Sequence, residues 1–180
     1  MDRAYVSIGS NLGAREATCL AAVEGLGRLP GVRALRRSRL YETEPWGLAE
    51  QPAFINLAVG LDTALAPVEL LAALLELERG LGRRRAAGEP RWGPRVVDLD
   101  LLLHGACVLD TPGLVLPHPR LHERRFVLAP LVELDPALRH PVLGRTLAEL
   151  LAALPPGEGG WVHPLEEASA PGQETHNPIS

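Results

Sequence analysis

The chain has 180 residues, 46% hydrophobic and 22% charged, with a formal net charge of -4, which predicts one soluble globular domain, with at most a small appendage, that folds without metal or disulfide. Cys19 and Cys107, with no CxxC pair or histidine-rich neighbourhood, exclude a zinc site and read as small buried hydrophobes of a reducing compartment. No run approaches the ~18 apolar residues of a membrane span, and MDRAYVSIGS carries charge where a signal peptide has its apolar core, so a cytoplasmic protein is expected.

Alternation in Ala4-Tyr5-Val6-Ser7-Ile8 predicts a first strand that turns at Gly9-Ser10-Asn11-Leu12-Gly13 into a helix over 14–26, stopped by Leu29-Pro30-Gly31. A second strand is expected over 32–42. An irregular loop with Pro45, Trp46, Gly47 and Pro52 follows, then a third strand over 54–62. Pro67 suits the first turn of a helix with the apolar stripe Leu70, Leu74, Leu77 and Leu81, and Gly82 ends it. The segment 83–94, rich in arginine, glycine and proline, cannot be a regular element and is expected to be a mobile functional loop. Strand character returns over 96–103, and helices are expected over 123–134 and 146–154. The Pro/Gly-rich stretch 155–180, with four glutamates and no arginine, is expected to be a mobile acidic tail on a domain of residues 1–154. The order β-α-β-β-α-β is the split βαβ pattern of ferredoxin-like α+β proteins, which host many unrelated activities.

All 18 basic residues are arginine, and between Arg79 and Arg125 nine arginines face five acids, a local excess of positive charge that calls for an anion. Within that stretch lies Arg91-Trp92-Gly93-Pro94-Arg95-Val96-Val97-Asp98-Leu99-Asp100. On a strand Asp98 and Asp100 project to one face, with Cα atoms about 6.5 to 7 Å apart, while Val97, Leu99 and Leu101 enter a core. Such a carboxylate pair suits hard cations such as Mg²⁺ that also hold substrate phosphates. The spacing alone is equally satisfied by two acids that face water or pair with arginines, and the arginine-rich loop favours the first reading. Arg83, Arg85, Arg91 and Arg95 offer planar forks for phosphate oxygens, with Arg84 free to face solvent. A polyphosphate such as ATP fits better than nucleic acid, given the net acidity and few aromatics. The P-loop class is excluded, because no G-x-x-x-x-G-K-[ST] run and no lysine exist. The glycines of the first turn have a structural explanation as well as a phosphate-cradling one, and the structural one is preferred. Trp46, Phe54, Trp92 and Phe126, four of seven aromatics, fall beside loops or strand starts, which suits stacking on a flat heterocycle whose edge Asn56 reads; core packing explains each phenylalanine equally well when taken singly.

The set YVSIGSNLG, YETEPWG, QPAFINLAV, ELERGLGR, RWGPRVVDLDLLL and LPHPRLHERRFVLAPL, over about residues 4–135, resembles the 6-hydroxymethyl-7,8-dihydropterin pyrophosphokinase family. The resemblance implies a ferredoxin-like α/β/α fold, transfer of pyrophosphate from ATP to the pterin hydroxymethyl group with release of AMP in folate biosynthesis, and two Mg²⁺ ions. It implies that Asp98 and Asp100 bridge the metals, with Arg83, Arg85 and Arg95 also catalytic. It places Glu78, Arg85, Trp92, Arg95, His118 and Arg124 around ATP, and Thr43, Pro45, Trp46, Phe54, Asn56, Trp92 and Phe126 around the pterin. A monomer with small-molecule substrates and neither nucleic-acid nor membrane partner is expected. The chain departs from the family pattern at Phe54 and Pro119, where some members have tyrosine, at Trp46, where some have leucine, and at Gly113, where an arginine is usual, so that one triphosphate contact is either absent or supplied by Arg120. The alternatives are a related ATP-dependent transferase acting on another flat alcohol and a non-catalytic nucleotide- or pterin-binding module; the latter has no need of Asp98 and Asp100.

Overall fold

The computed structural model describes residues 1–45, 50–83, 94–157 and 159–166. Alternation along β1 (Asp2–Ser10) sends Ala4, Val6 and Ile8 into one apolar cluster and Tyr5 into a second on the opposite face. After the turn at Gly13, whose φ of 65° suits glycine, α1 (Arg15–Gly27) buries Cys19, Ala22 and Leu26. The single strand expected over 32–42 is instead two, β2 (Val32–Arg37) and β3 (Tyr41–Thr43). The break is made by Ser38, whose Oγ accepts from Ala58 N at 3.0 Å and donates to Arg39 O at 2.8 Å, so that a side-chain oxygen stands in for a backbone carbonyl and the chain bends.

Next come β4 (Phe54–Thr63), α2 (Pro67–Gly80) and β5 (Asp98–His104). Pro67 opens α2, Glu69 reaches back to the Ala66 N–H at 2.8 Å, and Leu70 and Leu74 are fully buried, each contributing about 2 kcal/mol of transfer energy. The strands pair antiparallel, β5 with β1, β1 with β4, and β4 with both β2 and β3. With β2 and β3 taken as one bent strand, the spatial order is fourth, first, third, second, the split βαβ arrangement anticipated from the element order. In β5 the register shifts, so that Leu101 faces Val6 while Leu103 faces Tyr5 and Leu102 is the extra residue of a bulge.

The hairpin of β6 (Leu109–Thr111) and β7 (Leu114–Leu116) was not anticipated. The helix expected over 123–134 begins as a 3-10 turn, Leu121–Glu123, and continues as α3 (Arg125–Leu134). Helix α4 (Leu147–Ala153) starts with a reciprocal cap between Thr146 and Glu149. Both helices lie on the face opposite α1 and α2, where Val127, Leu128, Leu131, Leu147 and Leu150 pack with Tyr5, Ala58, Leu102 and Leu103. The expectation of a mobile tail from 155 is corrected in its first part: β8 (Val162–Pro164) pairs with β3 and extends the sheet. Three residues give no periodicity to read, and an open sheet edge supplies the order that Gly and Pro content hides. Cys19 is buried and its thiol is pushed up to about 12 by burial, whereas Cys107 is only half-buried; both are free. Among the described residues no helix is long and apolar enough to cross a membrane.

Candidate active site

Leu99 and Leu101 pack into the cluster under α1 and α2, so strand geometry sends Asp98 and Asp100 to the α3 face. Pairing then places Gly9 between Asp98 and Asn56, and Ser7 between Asp100 and Ala58. Small residues on the central strand leave a shallow bed, with carboxylates on one side and Asn56, Phe54 and Thr43 on the other. Gly9 has a reason beyond the turn. A Cβ there would lie 2.6 Å from Asn56 Oδ1, so glycine lets the Asn56 amide lie across β1. Asn56 Nδ2 donates to Thr43 Oγ1 at 2.7 Å, and both residues are buried.

The carboxylate side is held by charge. Arg83 and Arg95 each donate to one oxygen of Asp98, and Arg83 also donates to Glu78. Glu78, only 2% exposed at the end of α2, accepts the Leu99 N–H at 2.7 Å and so ties α2 to β5. Burial pushes Asp98 upward, but the charges of Arg95 and Arg83 and their hydrogen bonds outweigh it, and its carboxyl stays below the usual range. Asp100 is pushed up to about 7, first by burial and then by the charge of Asp98, with Arg124 and Arg95 only partly opposing. Its side chain keeps 40% exposure, with Arg124 Nη1 at 4.0 Å. The arrangement is one pinned carboxylate beside one in need of positive charge. Among the described residues no group of three or more metal-ligating side chains exists. Two hard oxygen donors fit an ion that takes its other ligands from phosphate and water, as Mg²⁺ does.

Beside Asp100, Arg124 is 7% exposed with its guanidinium carbon 5.7 Å from the centre of the half-buried Phe126 ring. His118 donates its backbone N–H to Leu102 O at 2.8 Å and accepts from Arg120 N at Nδ1, 3.2 Å away, which leaves Nε2 carrying the proton. Burial, followed by the charge of Arg124, pushes His118 down to about 4, so it is neutral at pH 7. Arg120 pairs with Glu123, and a side chain at Gly113, in the β6–β7 turn, would meet nothing within 4 Å.

The structure thus gathers Asp98, Asp100, Arg83, Arg95, Glu78, Thr43, Asn56, Phe54, Arg124, Phe126 and His118 on or beside one sheet face, with Pro45 half-buried two residues beyond Thr43. Arg85, Trp92 and Trp46 lie outside the described residues, as do Arg84 and Arg91. Sequence reasoning missed Asn11. Its Oδ1 accepts Arg95 N at 2.7 Å, its own N–H donates to Arg95 O at 3.1 Å, and its Nδ2 reaches Gln51 Oε1 at 3.1 Å and Pro52 O at 3.2 Å. One buried amide therefore anchors the chain next to both loops that carry candidate site residues. The available signal was an asparagine in a glycine-rich turn, which reads first as a turn former.

The family described as 7,8-dihydro-6-hydroxymethylpterin-pyrophosphokinase matches residues 5–136. The 2-amino-4-hydroxy-6-hydroxymethyldihydropteridine pyrophosphokinase of Pseudomonas aeruginosa is 48% identical over 155 residues, covering 86% of this chain and 93% of that one. The protein of the same name from Methylorubrum extorquens is 46% identical over 156 residues, covering 87% and 96%. Among solved structures, the HPPK-DHPS triple mutant of Plasmodium falciparum superposes with a TM-score of 0.66 at 14% identity, over 84% of this chain and 43% of that one, a likeness of fold in which this chain spans less than half of the larger protein. With the match extending from β1 through α3, and near-half identity over almost the whole length of two bacterial proteins, the chain belongs to the 7,8-dihydro-6-hydroxymethylpterin-pyrophosphokinase family.

Proposed function

We infer that this protein transfers the pyrophosphoryl group of ATP to the hydroxymethyl oxygen of 6-hydroxymethyl-7,8-dihydropterin, giving AMP and the pterin diphosphate for folate biosynthesis. The observation that carries the reading is the bed of Ser7 and Gly9 between the Asp98/Asp100 pair and the Asn56/Thr43 pair, which sets an anion-handling edge opposite a neutral hydrogen-bonding edge.

Asn56 spends one amide hydrogen on Thr43 and keeps its oxygen and second hydrogen for the pterin edge, while Thr43 keeps its own O–H to donate. Phe126, Phe54 and Pro45 enclose the ring, and Trp46 and Trp92 are assigned to it from the sequence. Arg83, Arg85, Arg95, Arg124 and the Nε2–H of neutral His118 are assigned to phosphate oxygens, Trp92 is assigned to the nucleotide as well as to the pterin, and Glu78 positions Arg83. The pterin hydroxymethyl oxygen attacks the β-phosphorus in line, an O–P bond forms as the hydroxyl gives its proton up to water, the bond from that phosphorus to the α,β-bridging oxygen breaks, and AMP leaves with that oxygen. Asp98 and Asp100 would hold two Mg²⁺ ions, which would supply neutralisation of charge on the transferring phosphates. The arginines stabilise the same charge, and placing both substrates on one rigid sheet supplies much of the remaining acceleration. The reading takes the protein as a monomer in the cytoplasm that acts on these two small molecules.

Chromatography of a reaction with ATP, Mg²⁺ and the dihydropterin tests the reading. AMP and diphosphorylated pterin should appear in equal amounts; ADP would mean attack at the γ-phosphorus, and no product despite binding of both ligands would mean a non-catalytic module.

A further inference from the structure

The C-terminal segment does more than close a sheet edge. Arg125 Nη2 donates to Leu154 O at 3.1 Å and Pro155 O at 3.2 Å as the chain leaves α4. At Gly159 (φ +84°) a Cβ would come within 3.0 Å of Arg125 Cβ and 3.1 Å of its backbone nitrogen. At Gly160 (φ +76°) a Cβ would come within 2.7 Å of Glu44 Oε2 and 2.8 Å of Glu44 Cβ. Glu44 N then donates to Trp161 O at 3.0 Å and Trp161 N to Glu44 Oε2 at 3.3 Å. Val162 faces Thr43 across the β8–β3 ladder, and Leu165 N donates to Leu40 O at 2.8 Å.

Within three residues the segment therefore presses on Arg125, which lies between Arg124 and Phe126, and on Glu44, which lies between Thr43 and Pro45. Those are the two walls of the pterin pocket, one on α3 and one on β3. Adjacent glycines allow a close approach to both, because a side chain at either would collide with one wall and be strained by positive φ. We propose that the strap of residues 159–165 is a positioning element for the pterin, in which Gly160, acting through Glu44, fixes the spacing between the wall of Phe126 and the wall of Thr43 and Pro45. The proposal rests on the functional reading above.

A strap that only protects the sheet edge would lower stability when damaged and leave substrate preference alone. One that sets the pocket width changes dihydropterin binding selectively, since small misplacements of binding groups cost large factors. In the full chain, Gly160→Ala should raise KM for the dihydropterin about tenfold and leave kcat and KM for ATP within about twofold. Gly157→Ala is the control: its φ of +81° imposes similar strain in the same segment, but a Cβ there meets nothing within 4 Å, and its KM should match the parent. Amide hydrogen exchange on the unmodified protein gives a readout independent of any variant's folding: the dihydropterin should slow exchange at Glu44 and Leu165, and ATP alone should not. An active parent with unchanged KM in Gly160→Ala, equal effects at Gly157 and Gly160, equal loss toward both substrates, or no pterin-dependent protection at those amides overturns the proposal alone. A parent that neither binds nor turns over the dihydropterin removes the functional reading and this proposal with it.

Discussion

The two edges of the active-site bed are held together by different physics. On β5, Asp98 is clamped by Arg83 and Arg95, Arg83 is shared with Glu78, and Asp100 remains short of positive charge. On β3 and β4, Thr43 and Asn56 are neutral, buried and bonded to each other. The charged edge is completed by what binds there, because mutual repulsion and burial both favour an incoming cation. The neutral edge is complete before any ligand arrives and reads shape and hydrogen bonding without a net charge. On the proposed assignment, a single sheet carries an electrostatically demanding phosphate site about two strand spacings from an uncharged ring site.

Mutations should separate the two edges, and the largest effect belongs to the charged one. Asp100→Ala should lower kcat by at least about a thousandfold, equivalent to about 4 kcal/mol of transition-state stabilisation, with dihydropterin affinity within a few-fold of the parent; near-normal turnover at saturating Mg²⁺ would break the metal assignment. Asn56→Ala should act in the opposite sense. Loss of a buried amide that reads the ring is worth about 1–3 kcal/mol, so KM for the dihydropterin should rise by roughly one to two orders of magnitude while KM for ATP stays put. A comparable rise for both substrates would show that the edges are not independent.

Titration sharpens the contrast further. His118 has a folded pKa near 4, below its ordinary 6.5, because burial and then Arg124 disfavour the imidazolium. The unfolded chain therefore binds the proton more readily between those values, and stability present above pH 6.5 is lost as pH falls toward 4. Urea unfolding at pH 6.5 and 4.5 should show about 2 kcal/mol of loss in the parent that His118→Asn does not show; identical pH dependence in the two proteins would place His118 in a more solvated setting. The smallest effect lies away from both edges. Thr146→Ala removes the cap of α4 and should cost about 1 kcal/mol of stability with turnover within twofold, measured by thermal melting and the AMP assay.

How much of this was legible in the sequence depends on the range of the forces involved. The D-x-D alternation, Pro67 at a helix start and the leucine stripe of α2 are local patterns, and the structure places them as the periodicity implies. Ser38 breaks a strand only because Ala58 of another strand supplies the donor to its hydroxyl. Asn11 gathers Arg95, Gln51 and Pro52 from distant stretches, and β8 exists because β3 leaves an edge to pair with. None of these partners is visible within a window of the chain. Glu78 is an intermediate case: an acid at the end of an apolar stripe is conspicuous, but its grip on the Leu99 amide requires α2 to lie against β5.

The bulge at Leu102 bears on how this enzyme's length can vary. Residues before it alternate in the phase set by Gly9 and Ser7, and those after it resume the phase of Tyr5 and Ala4. Removing any one of Leu101, Leu102 and Leu103 yields the same chain, and that shorter chain can pair Leu-Leu directly with Val6 and Tyr5 in an unbroken ladder. Asp98 and Asp100 then keep their face, and the change falls on the cluster around Tyr5, which loses one of two buried leucines, and on the carbonyl that accepts the His118 N–H. A deletion between Asp98 and Asp100 has no such escape, since it would make the two carboxylates neighbours on opposite faces. The leucine run is thus the part of β5 where a change of length spares the phase of the carboxylates and is felt instead in the packing against α3.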